Sequence, residues 1–198
     1  MITIIDYGMG NLRSVEKAFE FLGYESKISK KAEDIKNASS LILPGVGAFG
    51  DAMKHLKERG LIEPIKEEVK KGKPFLGICL GMQLLFEKSL EHGEFKGLGL
   101  VKGEIIPFKL KDLKVPHMGW NNLIAKDNPL FKKSNDEYVY FVHSFFASNV
   151  DDKDIIATSV YGKEFVAAVK KDNVYGLQFH PEKSGEVGLA MLKEFGKL

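Results

Sequence analysis

Between residues 2 and 90, short apolar runs alternate with stretches whose apolar residues recur at helical spacing. Ile2 to Asp6, Tyr24 to Ser29, Ser40 to Leu43 and Pro74 to Ile78 read as strands. Val15, Ala18, Phe19 and Leu22 form one helical stripe, stopped by Gly23. Further helices are predicted around Ala52 to Lys57, over Leu61 to Lys71 and over Met82 to Leu90. A strand that leads through a helix to another strand is a βαβ unit, so this half must build a parallel sheet with helices on both faces.

The second half changes texture. From Gly103 to about Phe179 the segments are short, β-branched or aromatic, and bounded by Gly, Asn and Asp. Tyr138 to Val142, Ile155 to Val160, Phe165 to Val169 and Val174 to Phe179 read as hairpins and mixed strands. Ser184 to Leu198 reads as a closing helix, with Val187, Met191, Leu192 and Phe195 on one face. The predicted fold is α/β: an open, mostly parallel twisted sheet flanked by helices, with additional antiparallel strands in the C-terminal half. With 198 residues and no repeat, low-complexity tract or linker, residues 1–198 are expected to form a single domain.

Charge and composition exclude several classes of function. Hydrophobic residues at 44% and charged residues at 28% fit a globular chain, not a disordered, collagenous or membrane-embedded one. The 29 basic and 27 acidic residues leave a net charge of +2, too weak a field to recruit nucleic acid or an anionic membrane. No run approaches the ~18 apolar residues of a membrane span, and Met1-Ile2-Thr3-Ile4-Ile5 opens directly as a strand, so a cytoplasmic location is expected. The single cysteine, Cys79, permits no intrachain disulfide and no cysteine-based zinc cluster. No motif for a metal or organic cofactor is present, and none is expected.

Cys79 is either a packing thiol or a reactive one. Gly77-Ile78-Cys79-Leu80-Gly81 is the thiol version of the G-x-S-x-G turn, with a strand before it and a helix after it. Such a turn needs small residues on either side of the nucleophile, and Gly77 and Gly81 supply them. N–H groups of the helix that follows lower a thiol pKa and activate the sulfur.

A nucleophilic thiol needs a base, and the base needs an orienting group. Of five histidines, His180 follows the strand Val174 to Phe179, with Glu182 two residues on in Phe179-His180-Pro181-Glu182. Active sites of open parallel sheets form beyond the carboxyl ends of strands, where both Cys79 and His180 stand. His55 and His92 read as helical surface groups. Gly45-Val46-Gly47-Ala48-Phe49-Gly50 matches the dinucleotide pattern G-x-G-x-x-G, but no acidic residue stands about 20 positions on, where Ile65 occupies a helix. The loop better suits an oxyanion hole formed by N–H groups at Gly47 and Leu80.

Together, Gly77-Ile78-Cys79-Leu80-Gly81-Met82-Gln83, Pro44-Gly45-Val46-Gly47 and His180-Pro181-Glu182 resemble the class I (triad) glutamine amidotransferases. Tyr7-Gly8-Met9-Gly10-Asn11 and Pro116-His117-Met118-Gly119-Trp120-Asn121 resemble, more narrowly, the glutaminase subunits of imidazole glycerol phosphate synthases. The resemblance implies that Cys79 attacks the glutamine carboxamide, that His180 oriented by Glu182 moves the proton, and that Gly47 and Leu80 hold the oxyanion. It places Gly47, Gln83, Glu91, His143, Ser144 and Phe145 around bound glutamine, although the family often has tyrosine where this chain has Phe145.

The resemblance also implies a heterodimer with a (β/α)8 cyclase subunit. That subunit uses the ammonia to make imidazole glycerol phosphate and aminoimidazole carboxamide ribonucleotide in histidine biosynthesis. Asn11, Trp120, Tyr140 and Lys183 match family positions at the subunit interface. From the residues alone, Trp120 reads equally as a core side chain and Glu91 equally as a solvated helix position. An amidotransferase subunit of another pathway and a non-catalytic partner-binding module remain the alternatives.

Overall fold

In the computed structural model, residues 1–131 and 136–198 are described. The first half alternates strand and helix: β1 (Ile2–Ile5), α1 (Leu12–Phe21), β2 (Ser26–Ser29), α2 (Ala32–Asn37), a helix not among those predicted, β3 (Ser40–Gly45), α3 (Phe49–Glu58), α4 (Ile62–Lys70), β4 (Phe75–Cys79) and α5 (Leu80–Gln83). There follow β5 (Lys88–Ser89), β6 (Phe95–Lys96), β7 (Glu104–Pro107), β8 (His117–Asn122), β9 (Ile124–Ala125), β10 (Tyr138–His143), β11 (Phe145–Ser148), β12 (Ile155–Val160), β13 (Glu164–Lys171), β14 (Val174–Leu177) and α6 (Gly185–Gly196).

Among the described residues one sheet runs β2-β1-β3-β4-β14-β13-β11-β7-β5-β6, with β12 beside β13 and β9 beside β12. Its first five strands are all parallel. From β14 onward the pairings become antiparallel except for β5 with β7. Strands β8 and β10 form a separate antiparallel ribbon. The architecture is the mixed α/β sheet that the sequence predicts.

Successive residues of a strand face opposite sides of its sheet, and the core divides accordingly. Ile2, Ile4, Ile42, Leu76 and Ile78 point to one side, against Val15, Ala18 and Phe19 of α1 and Met191, Leu192 and Phe195 of α6. Ile5, Leu41, Leu43 and Phe75 point to the other, against α2, α3 and α4 through Ile35, Phe49, Leu56 and Ile65. Strands β1, β3, β4 and β14 are thus buried on both sides, while β2 at the edge is only partly covered. No helix among the described residues is long and apolar enough to cross a membrane.

One element departs from its periodicity. The helix expected over Met82 to Leu90 ends at Gln83, and Lys88–Ser89 enters the sheet. Leu84, Leu85 and Phe86 are all fully buried, leaving no solvent face for an amphipathic helix. The loop that follows takes the carbonyls a longer helix would use: Leu98 N–H donates to Leu84 O, Gly99 to Phe86 O, and Leu100 and Val101 to Leu85 O. Glu91 and His92 consequently stand in a turn rather than on a helix.

Candidate active site

Cys79 closes β4 and caps α5 in a left-handed conformation, φ 55° and ψ −113°, that a non-glycine residue rarely adopts. Such a backbone costs ~1–3 kcal/mol and persists only where the surroundings over-determine it. Here the glycines do so. A Cβ on Gly77 would meet Gly81 O at 2.5 Å and Met82 Cα at 2.8 Å, and one on Gly81 would run into the Leu43 carbonyl. Strand, elbow and helix therefore close together only with hydrogen at both positions. With a single turn after it, the sulfur has the N–H groups of α5 beside it but not the macrodipole of the long helix that the sequence predicts.

Sheet register brings the other residues to Cys79. Gly45 is abreast of Cys79 across β3 and β4, which sets the Val46-Gly47 loop beside the elbow. Leu177 is abreast of Ile78 across β14 and β4, so the chain leaving β14 carries His180 past the same end of the sheet. His180 N–H donates to Tyr140 O at 2.9 Å, and the Ser184 hydroxyl donates to His180 O at 2.6 Å. These bonds fix the turn that holds His180 and Glu182. Ser184 is invisible to motif reading, because it acts through backbone geometry.

His180 Nδ1 lies 2.8 Å from Glu182 Oε1, with both side chains almost wholly buried. Burial alone would push the His180 pKa down. Its interactions with Cys79 and with the Glu182 carboxylate outweigh burial and raise it from 6.5 to about 10. Among the described residues none meets full hydrogen-bond geometry at His180 Nε2, while Cys79 Sγ faces the Val142 carbonyl at 3.8 Å. Cys79 acts on the imidazole first as a hydrogen-bonding neighbour and then through its charge. Under the elbow, the buried Tyr7 hydroxyl has its pKa raised by burial and then by Cys79.

A cleft of about 420 Å³ opens over the sulfur, lined by Gly47, Cys79, Leu80, Gln83, Glu91, His143, Ser144, Phe145 and His180. Every residue that the resemblance places around glutamine or the oxyanion is in this lining. Gln83 Nε2 spends both protons inside the protein, on Phe145 O at 3.1 Å and Gln178 Oε1 at 3.0 Å. Only its Oε1 is left for a ligand. Glu91 Oε2 accepts the Phe49 N–H at the start of α3, 2.7 Å away, so one carboxylate oxygen is structural. Val142 and His92, which stand in none of the motifs, are also parts of the wall, beside Val46 and Pro116. His92, expected on a helical surface, sits at φ 53° with its ring edge-on to Phe145. His55 does lie on α3 and is partly exposed, with its Nδ1 enclosed and unpartnered among the described residues.

On the outer face of the β8–β10 ribbon, Trp120 and Tyr140 are cross-strand partners with rings edge-to-face at 6.2 Å, and Lys183 Nζ lies 5.9 Å over the Tyr140 ring. Trp120 is 55% exposed and Met118 62%, which removes the core reading of Trp120. Asn11 is exposed just ahead of α1, a helix packed against the 181–183 turn.

The model of the class I glutamine amidotransferase family matches residues 3–197. Similarity extends along the whole chain to imidazole glycerol phosphate synthase subunit HisH of Caldanaerobacter subterraneus subsp. tengcongensis, 57% identical over 100% of this chain and 98% of the relative. The corresponding subunit of Sulfurimonas denitrificans is 54% identical at the same coverage. The chain belongs to the HisH family of class I glutamine amidotransferases. The solved structure of a glutamine amidotransferase aligns over 100% of both chains with a TM-score of 0.79 at 19% identity. PurLQS from Thermotoga maritima aligns over 98% of this chain and 96% of its own with a TM-score of 0.75 at 24% identity. Those two likenesses speak to the family's fold.

Proposed function

We propose that this chain hydrolyses glutamine to glutamate and ammonia through Cys79, His180 and Glu182. It delivers the ammonia to the cyclase subunit of imidazole glycerol phosphate synthase, in histidine biosynthesis. The observation that carries the reading is the strained Cys79 elbow opening into the same cleft as the His180–Glu182 pair. A cytoplasmic site of action accords with the pathway.

The geometry supports the following chemistry. His180 holds at Nε2 the proton that the Cys79 thiol gives up, as an imidazolium whose pKa is raised by Cys79 and by Glu182 at Nδ1. The sulfur attacks the glutamine Cδ, and the carbonyl oxygen becomes an oxyanion held by N–H groups at Gly47 and Leu80. Collapse expels the amide nitrogen as ammonia with the proton returned from Nε2. His180 then deprotonates a water that attacks the thioester; glutamate leaves, and the thiol is restored.

Binding divides among the cleft residues by what each has left to offer. Gln83 Oε1 accepts an N–H of the substrate amide, because its own amide protons are engaged. The Glu91 oxygen not bound to Phe49 accepts the substrate ammonium. Ser144 O is taken by the Phe108 N–H, so Ser144 contributes its hydroxyl. Trp120, Tyr140, Lys183 and Asn11 form the cyclase-facing surface, with the aromatic pair as its anchor.

Cys79→Ala tests the assignment in the assembled complex. Glutamine-dependent turnover is expected to vanish while turnover with added ammonium salt persists. Loss of both, or survival of glutamine turnover, overturns the roles of the thiol and its base.

A further inference from the structure

Two histidines outside the triad form a hydrogen-bond chain with only one consistent order of protons. His143 Nδ1 lies 2.8 Å from Phe145 O, an acceptor, so the proton is on Nδ1 and Nε2 is bare in the neutral ring. His117 Nδ1, 3.0 Å from that bare nitrogen, must then be the donor, which leaves His117 Nε2 as an acceptor. It faces Asn121 Nδ2 at 3.3 Å. The Asn121 amide cannot be turned over, because Nδ2 also donates to Val160 O at 2.8 Å while Oδ1 accepts the Asn122 N–H at 2.9 Å. Direction thus runs without a break from Asn121 to Phe145 O.

At its far end the chain meets the glutamine cleft. Phe145 O accepts from His143 and from Gln83 Nε2, and Gln83 reaches on to Gln178, two residues before His180. At its near end, Asn121 follows the exposed Trp120 on β8.

The two rings occupy an aromatic box: His117 stacks on Tyr161 at 4.1 Å and on Phe141 at 4.8 Å, and His143 is flanked by Phe108 and Phe165. Aliphatic or aromatic residues would fill that box without the cost of burying imidazole. What they would lack is a directed donor to Phe145 O. Burial also pushes His117 down to about 4 and His143 down to about 3, so neither ring charges near neutrality.

We infer that the Asn121–His117–His143 chain is a positioning device for glutamine binding, setting the Phe145 carbonyl and through it the orientation of the Gln83 amide. The inference rests on the proposed glutaminase activity. His117 touches no substrate; it acts through His143.

The test compares His117→Phe, which keeps the stacking ring but removes the donor, with His117→Asn, whose amide nitrogen can stand near the position of Nδ1. Both are assayed as complexes with the cyclase. His117→Phe is expected to raise the KM for glutamine about tenfold, the scale of one lost hydrogen bond, with kcat within about threefold of the unaltered complex. His117→Asn is expected to restore KM to within about threefold. Ammonium-dependent turnover is expected to stay unchanged in both.

Unchanged KM in His117→Phe, or equal defects in the two variants, overturns the positioning role. Failure of the unaltered complex to hydrolyse glutamine overturns the glutaminase reading and this inference together. A second measurement needs no variant: nitrogen-15 NMR of the unaltered protein at neutral pH should show both rings neutral and protonated at Nδ1. An Nε2-protonated form of either ring refutes the proton order.

Discussion

Gly77→Ala probes the elbow without touching a reacting atom. The added Cβ would lie 2.5 Å from Gly81 O, 2.7 Å from Gly81 C and 2.8 Å from Met82 Cα, where real contacts of this kind stop near 3.0 Å. All three atoms are backbone, so no side chain can rotate away. Relief takes a displacement of roughly half an ångström between β4 and α5, across the turn that aims the sulfur. Overpacking of this kind costs ~1–3 kcal/mol. For a chain of this size that lowers the melting temperature by about 2–4 °C per kcal/mol.

Misplacing a reacting atom by ~1 Å costs about a hundredfold in rate, so the smaller shift here predicts a loss between about tenfold and a hundredfold. The assay is glutamate release by the complex, with ammonium-dependent turnover as the internal control and thermal melting alongside. Gly81→Ala, whose Cβ runs into the Leu43 carbonyl, should be worse on both counts. Gly50→Ala, which meets only the partly exposed Phe95 ring, should be mild. Full glutamine turnover by Gly77→Ala would refute the claim that close strand-to-helix approach sets the position of Cys79.

Other consequences can be measured directly. Glu182→Gln should reduce glutamine turnover, but by less than the ~10²–10⁴-fold expected for His180→Ala, because orienting a base contributes less than being one; equal or reversed losses count against the assignment. The His180 pKa is raised in the folded chain from 6.5 to about 10, so its stabilising contribution is complete below pH 6.5 and is lost as pH climbs through about 10. Denaturant unfolding of the unaltered chain and of His180→Gln should therefore differ most in mild acid and converge in alkali; a gap that widens with pH contradicts the coupling to Cys79 and Glu182. Trp120→Ala should raise the Kd for the cyclase by about tenfold or more, as expected for a central aromatic anchor, and an unchanged Kd removes Trp120 from the interface.

What the sequence discloses and what it hides divide along a physical line. The parallel half is legible because its strands and longer helices carry their own period, which the six-residue α2 is too short to show, and the elbow is legible because only glycine fits on both sides of Cys79. Residues 84–92 are not. Leu84, Leu85 and Phe86 read as helix from their apolar character, yet their carbonyls bond to residues 98–101, a tertiary choice that no local pattern encodes. The same holds at the site. Cys79, His180 and Glu182 stand in motifs, whereas Ser184, Val142 and the proton order through His117 depend on which strand lies beside which.

Strand β10 ties the candidate site to the proposed partner surface. Its outward side chains, Tyr138 and Tyr140, face solvent beside Trp120, while its backbone reaches into the catalytic end of the sheet. Tyr140 O accepts the His180 N–H, Tyr140 N–H donates to the Ser184 hydroxyl that also binds His180 O, and Val142 O faces the Cys79 sulfur. His143, the last residue of the strand, holds Phe145 O. A partner that loads Trp120 and Tyr140 therefore loads the strand whose backbone touches the base and the nucleophile and whose end leads to the glutamine wall. No separate lever between the surface and the chemistry is needed, because one strand presents its side chains to the first and its carbonyls to the second.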